Sequence, residues 1–218
     1  MELSSKAKIV YHQIDKQTTK LGDLRKMAKE LKVDHDLAME LWFTKEFLPR
    51  QLAILLMNNK ILNQELIEKL DQDIQKHTFE ERIHLIDWLM ANQLTKNNKI
   101  ISLIESWEKS SSVLQRRVFW YYQARLRWMG KTNQQNTEYL LSSIEQNMLN
   151  EKPEVQWAMN YTAGQIGKWQ EKYRDRCILI GEKTGLYKDE VVAKNCTPSY
   201  LPEFIRIEVS KLDLSNKK

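Results

Sequence analysis

Asp87 is a lone acid on a stripe of core-type residues, with Ile83, Met90 and Leu94 on the same face at helical spacing. A carboxylate among such neighbours is costly unless a cation, a hydrogen-bond donor or a water-filled cleft compensates it. Two chemistries meet that demand. In one, Asp87 is a structural acid paired with His84, or with an arginine of the next repeat. In the other, it faces a groove and stabilises a cation there. Downstream, Arg116, Trp120, Gln123 and Arg127 fall at i, i+4, i+7 and i+11, so a single stripe combines guanidinium groups with a ring. Guanidinium forks match phosphates, and aromatic faces match bases, sugars and cations, so this stripe points to nucleic acid. Trp157, Tyr161, Gly164 and Lys168 make a second stripe of the same kind. Core packing competes with ligand contact there, because Trp and Tyr at helical spacing commonly line a core.

Other chemistries find no support. The histidines, His12, His35, His77 and His84, form neither an H-x-x-x-H pair nor a cluster with cysteine, so no metal is expected. There is no P-loop, G-x-G-x-x-G or G-x-S-x-G, and no cofactor is expected.

The elements that position these stripes are helices. Six Gly and four Pro are few for 218 residues, and Gly130 alone of these types lies between Pro49 and Pro153. The pattern predicts helices near 4–15, 21–31, 34–43, 46–57, 63–75, 79–94, 98–109, 112–129, 136–148, 153–167, 170–184 and 188–194, with a last one from Pro202 to Lys211. Pro153 suits a first helical turn and Gly130 a position just past a helix end. The segment Lys194 to Arg206 reads as a structural turn between two helices.

Weak internal repetition is present. VLQRRVFWYYQARLRW and EVQWAMNYTAGQIGKW align with Gln115 on Gln156, Trp120 on Tyr161 and Trp128 on Trp169, an offset of 41. Leu56-Met57 and Leu89-Met90 superimpose at an offset of 33. Periods of this size with two helices each suit an all-α, HEAT-like or armadillo-like solenoid, a C-shaped α-α superhelix whose second helices, 46–57, 79–94, 112–129 and 153–167, line the concave side. A non-repetitive helical bundle is the alternative. No linker divides the chain, so residues 1–218 read as one domain.

The formal charge of +5 and pI near 9 suit a polyanionic partner. The longest apolar run, Leu52 to Met57, is too short to span a bilayer, and MELSSKAKIV lacks a secretory apolar stretch, so a cytoplasmic protein without a membrane partner is expected. Cys177 and Cys196, widely spaced, read as reduced thiols.

With these residues in view, the chain resembles the DNA alkylation repair family, the AlkD-like alkylpurine DNA glycosylases built from HEAT-like repeats. The resemblance runs from Gly22 to Lys211 and is clearest in ELWFTKEFLPRQLAILLM and LQRR. It implies a W-x-x-x-D element in which Asp87 matches the catalytic acid while Ile83 stands at the Trp. It implies a backbone-holding arginine at Arg116, and Tyr161 at the position of a second active-site Trp. The segment before Leu21 is short for the family's first helix pair, which would shorten one wall of the groove. The implied partner is alkylated duplex DNA, bound without metal or cofactor; the oligomeric state stays open, with a monomer expected. The implied catalytic residues are Asp87 and Tyr161, with Arg116, Trp120, Gln123, Arg127, Trp157 and Lys168 on the DNA. Release of cationic N3- or N7-alkylpurines is the leading expectation; a non-catalytic DNA-binding paralogue and a protein-interaction scaffold are its rivals.

Overall fold

The computed structural model describes residues 2–130 and 135–215, with side chains as far as Leu212; the basic terminus Asn216 to Lys218 lies outside them. The described residues form α1 (Ser5–His12), α2 (Leu21–Leu31), α3 (His35–Phe43), α4 (Phe47–Leu56), α5 (Gln64–Ile74), α6 (Phe79–Asn92), α7 (Asn98–Ser106), α8 (Val113–Trp128), α9 (Thr137–Asn147), α10 (Pro153–Trp169), α11 (Arg174–Thr184) and α12 (Leu201–Ser215), with no strand among them. No described helix is long and apolar enough to cross a membrane.

Local chemistry sets most of the helix starts. The side chains of Ser4, Asp34, Asn63, Thr78 and Ser112 each accept a hydrogen bond from a backbone N–H in the first turn of the helix that follows. Such a cap satisfies an otherwise orphaned donor and is worth about 1 kcal/mol. Pro153 opens α10, and Gly185 ends α11 in the left-handed region at φ 63°. The helix expected at 188–194 does not form. Tyr187 and Asn195 have φ of 63° and 70°, and Val191 is 97% exposed, so the stretch has no apolar face to bury and its ends turn away from helical geometry. α12 begins at Leu201 and runs past Lys211.

The chain divides into two compact units, residues 1–107 and 108–218. In the first, α3 and α4 form a pair around Leu41, Trp42, Leu52 and Leu56. Arg50 of α4 is 2% exposed. Its guanidinium lies 4.7 Å from the Trp42 ring centre, and it donates to the last-turn carbonyls of Trp42 (3.1 Å) and Asp73 (2.9 Å), tying the ends of α3 and α5 to α4. The same guanidinium meets His77 Nε2 at 2.7 Å, so that nitrogen accepts, and Nδ1 carries the proton toward Glu81, also at 2.7 Å. α6 is fastened to α4 by Trp88 Nε1 on the Gln51 carbonyl (3.1 Å) and Gln93 Nε2 on the Ile54 carbonyl (2.5 Å). The pairs matched by the 33-residue offset, Leu56-Met57 and Leu89-Met90, are all buried.

In the second unit α8 packs along α10, with Thr162 Oγ1 donating to the Trp120 carbonyl at 2.7 Å. α12 closes against α10 and α11 at three glycines. A Cβ on Gly164 would meet the Phe204 ring at 2.8 Å, one on Gly167 the Ile205 side chain at 2.6 Å, and one on Gly181 the Pro202 ring at 2.5 Å. The helix interior tolerates these glycines because only a missing side chain allows so close an approach.

Gly181→Ala is therefore expected to lower the unfolding free energy by ~1–3 kcal/mol, since Pro202 is rigid and its helix must move. Gly22→Ala, where nothing lies within 4 Å, should instead raise it by about 0.5 kcal/mol. Urea denaturation of the two variants checks the pair; equal effects would mean that α12 does not pack this closely.

Candidate nucleic-acid interface

Asp87 is carried by α6, whose residues Leu85, Ile86, Leu89 and Met90 are buried. Trp88, the next residue, fixes the rotation of the helix: its indole nitrogen is held by α4, and the Arg25 guanidinium lies 4.8 Å from its ring centre. With Trp88 so placed, Asp87 and Ile83 fall on the margin of the buried face and are half-buried, whereas Met90 and Leu94 lie inside it. Asp87 is thus at the edge of the core. The ring nearest to it in sequence is Trp88, which the pattern of helical spacing did not single out.

In the second unit the stripe Arg116, Trp120, Gln123 and Arg127 turns inward, in contrast to the groove-facing stripe its composition suggests. Trp120, Gln123 and Arg127 are 1%, 2% and 0% exposed. Arg127 donates to the Gln123 carbonyl (2.9 Å), Thr137 Oγ1 (3.1 Å), Gln170 Oε1 (3.2 Å) and Asn136 Oδ1 (3.3 Å). Burial lowers its pKa to about 10. Neutral oxygens surround this guanidinium, and none of its surface is offered to a polyanion. Gln123 Oε1 accepts from Asn136 Nδ2 in the same network. The physical reason for the difference is the position of α8, which is covered over most of its circumference, so polar residues along it satisfy one another instead of facing water.

Arg116 sits nearer the surface, yet its fork is occupied. Nε and Nη2 each lie 3.0 Å from a Glu151 oxygen, while Nη1 donates to the Ser110 carbonyl at 2.7 Å. Arg116 and Trp120 line a cavity of about 330 Å³ together with Glu108, Lys109, Asn147 and Glu151.

Trp157 and Tyr161 of α10 are brought together. Their rings stack at 5.1 Å with planes 9° apart; Tyr121 meets both edge-on, and the Arg117 guanidinium lies 5.0 Å from the Trp157 ring centre. Arg117, which sequence spacing passed over, is 2% exposed and donates to the Glu154 carbonyl at 2.7 Å. Burial, with Tyr121 and Glu208 nearby, pushes the Tyr161 phenol up to about 12. Tyr161 therefore offers a ring and a protonated hydroxyl and is no proton acceptor at neutral pH.

Lys168 is drawn away to Glu208 of α12, at 2.7 Å. Burial raises the Glu208 carboxyl, but hydrogen bonds from Lys168, Lys211 and Thr197 outweigh it and hold the pKa at about 2. Glu151 and Glu208, the acids that neutralise Arg116 and Lys168, lie 35 and 40 residues from their partners, beyond the reach of helical spacing. Cys177 is buried, with its thiol pushed by burial up to about 12, and Cys196 is exposed; both are free. No cluster of three or more His, Cys, Asp or Glu side chains among the described residues is arranged to hold a metal.

The all-helical build and this site define a class, proteins of HEAT-like helical repeats, and a solved structure supports the fold. That structure is of a protein from a family related to the HEAT-like repeat DNA glycosylases, with affinity for branched DNA structures. It matches with a TM-score of 0.64 and 17% sequence identity, over 97% of this chain and 89% of that one. The model of the family described as DNA alkylation repair enzyme matches residues 12–177, and the chain belongs to that family. No curated protein matches the chain.

The depressed Glu208 carboxyl yields a pH prediction. A carboxyl held at about 2 against an ordinary 4.5 contributes stability that is complete above the upper value and vanishes as pH falls to the lower one. The contribution is on the order of 1–2 kcal/mol once screening of a partly exposed pair is allowed for. Thermal melts of wild type and Glu208→Gln should differ at pH 7 and converge between pH 5 and 2. Parallel curves across that window would show that the ion pair adds nothing.

Proposed function

We propose that this protein binds duplex DNA, and that any hydrolysis it performs cleaves the N-glycosidic bond of cationic N3- or N7-alkylpurines with Asp87 as the essential group. The observation that carries the reading is the placement of Asp87, half-buried at the edge of a core helix within the span matched by the family model. An alkylated purine is already cationic and leaves readily, so the charge that needs stabilising is the one that develops on the sugar as the glycosidic bond breaks. A carboxylate partly shielded from water stabilises such a charge strongly. As water adds to the sugar carbon, the same carboxylate can accept its proton.

A reading without chemistry is favoured by a separate observation. Ile83 stands one turn before Asp87, where an aromatic ring would add ~1–2 kcal/mol of cation–π stabilisation, or roughly tenfold in rate. On that reading DNA binding persists without base release, and by analogy with the structural relative the ligand is branched or otherwise distorted DNA. Arg116 would take part in phosphate contact only after exchanging Glu151 for the DNA backbone.

Two measurements test these statements. Incubated with methylated duplex, the wild type should release 7-methylguanine or 3-methyladenine slowly, Ile83→Trp about tenfold faster, and Asp87→Asn not at all while still binding DNA. Release that continues unchanged in Asp87→Asn assigns the chemistry elsewhere, and no release from either of the others, with binding intact, selects the non-catalytic reading. Separately, Glu151→Gln should tighten duplex binding at low salt and steepen the log–log salt slope by ~0.9 as one guanidinium becomes available to phosphate. An unchanged slope removes Arg116 from the interface.

A further inference from the structure

Within the first unit some cations are consumed by the fold and others are not. Arg50 is buried and gives its donors to carbonyl oxygens, and Lys16 is tied to Glu46 at 3.0 Å. Arg25 of α2 differs from both. It is exposed, and its guanidinium lies over the Trp88 ring of α6, 4.8 Å from the ring centre. Among the described residues no oxygen of the fold accepts a hydrogen bond from it, and no carboxylate pairs with it. A ring attracts the cation without matching its planar fork, so the N–H donors stay available. The brace is itself anchored, because Trp88 Nε1 donates to the Gln51 carbonyl at 3.1 Å.

The helix that carries Arg25 sorts its charges by face. Leu24 is fully buried and sets the rotation of α2. At about 100° per residue, Lys29 falls about 40° from Arg25, whereas Asp23 and Glu30, the acids of α2, fall about 160° and 140° away. Asp23 is also occupied at the helix start, where its Oδ2 accepts from the Lys20 N–H at 2.9 Å. Lys29 is exposed and joins no ion pair among the described residues. Arg116 and Lys168 of the second unit carry their own carboxylates; Arg25 and Lys29 carry none. Two unmatched cations one turn apart, one of them a braced fork, suit the paired oxygens of a phosphodiester.

We propose that Arg25, braced by Trp88, and Lys29 form a phosphate grip that holds the DNA backbone on the first unit, beside the helix that carries Asp87. The grip rests on the DNA-binding reading above. Arg25 and Lys29 touch the phosphate, and Trp88 acts through Arg25 as a positioning residue. Because Trp88 directly follows Asp87, a strand held at Arg25 is held next to the acid.

The test follows a fluorescein-labelled duplex by anisotropy over a series of salt concentrations, with the full chain. Arg25→Gln should lower the magnitude of the log–log salt slope by ~0.9 and weaken binding about tenfold at 0.1 M salt, on any sequence; adding Lys29→Gln should bring the change to ~1.8. Lys26→Gln removes the same charge one residue along, turned about 100° from Arg25, and should leave the slope near wild type. Trp88→Leu should weaken binding about two- to fivefold with the slope kept, Trp88→Phe should restore most of the loss, and Trp88→Leu should add nothing in an Arg25→Gln background. If melting curves show that Trp88→Leu does not fold, the comparison of Arg25→Gln with Lys26→Gln decides alone, since both residues are exposed.

A slope that Arg25→Gln leaves at its wild-type value, or that Lys26→Gln lowers equally, overturns the grip while DNA binding stands. A loss in Trp88→Leu that persists in the Arg25→Gln background overturns the bracing role. No binding of duplex by the wild type at any salt refutes the DNA-binding reading itself, and the grip with it.

Discussion

Helix after helix in this fold ends in carbonyl oxygens that no further turn can satisfy, and guanidinium groups meet several of them. Arg50 serves the ends of α3 and α5, and Arg174 Nε donates to the Gly167 carbonyl near the end of α10 at 3.1 Å. These contacts place a cation at the negative end of a helix dipole and satisfy hydrogen bonds at the same time. Without them, a stack of short helices joined by tight turns would bury unsatisfied backbone at its joints, a cost that apolar packing alone could not offset.

That use of arginine changes the meaning of the basic composition. The formal charge of +5 counts Arg50, Arg117 and Arg127 as fully as any surface lysine, yet all three are engaged inside the structure. Arg116 and Lys168 lie closer to water and are matched by Glu151 and Glu208. A polyanion approaching the second unit therefore competes with built-in carboxylates.

Much of the fold could be read from the chain because it rests on local chemistry. Pro153 opens α10 as its fixed backbone geometry predicts, and Asn63, Thr78 and Ser112 start their helices through bonds made within one turn of chain. The stretch 188–194 departs from its helical pattern because propensity carries little weight where no core receives the residues. The stripe on α8 was legible as a stripe but not in its direction. Arg127 and Gln123 look solvent-seeking in sequence, and only the arrival of Thr137, Asn136 and Gln170 from elsewhere makes the interior hospitable to them. Asn160 is the extreme case. Its side-chain amide is held by the Ser199 carbonyl 39 residues away, and no periodicity encodes that. Asp87 was found because an acid among Ile83, Met90 and Leu94 is anomalous in any setting; its half-burial depends on Trp88 and Gln51, which the anomaly does not name.

The family match ends at Cys177, inside α11, while the surface that α12 covers lies on α10 and α11. Gly164, Gly167 and Gly181 are shaped to receive Phe204, Ile205 and Pro202, so a few consecutive residues of α12 are read by contacts from two helices. Between Gly185 and Leu201 the chain has no helix, and several of its side chains are open to solvent. A protease that nicked this stretch would sever the backbone without unseating the last helix. The terminal segment would remain as a held peptide, and its exchange could be followed with a synthetic copy.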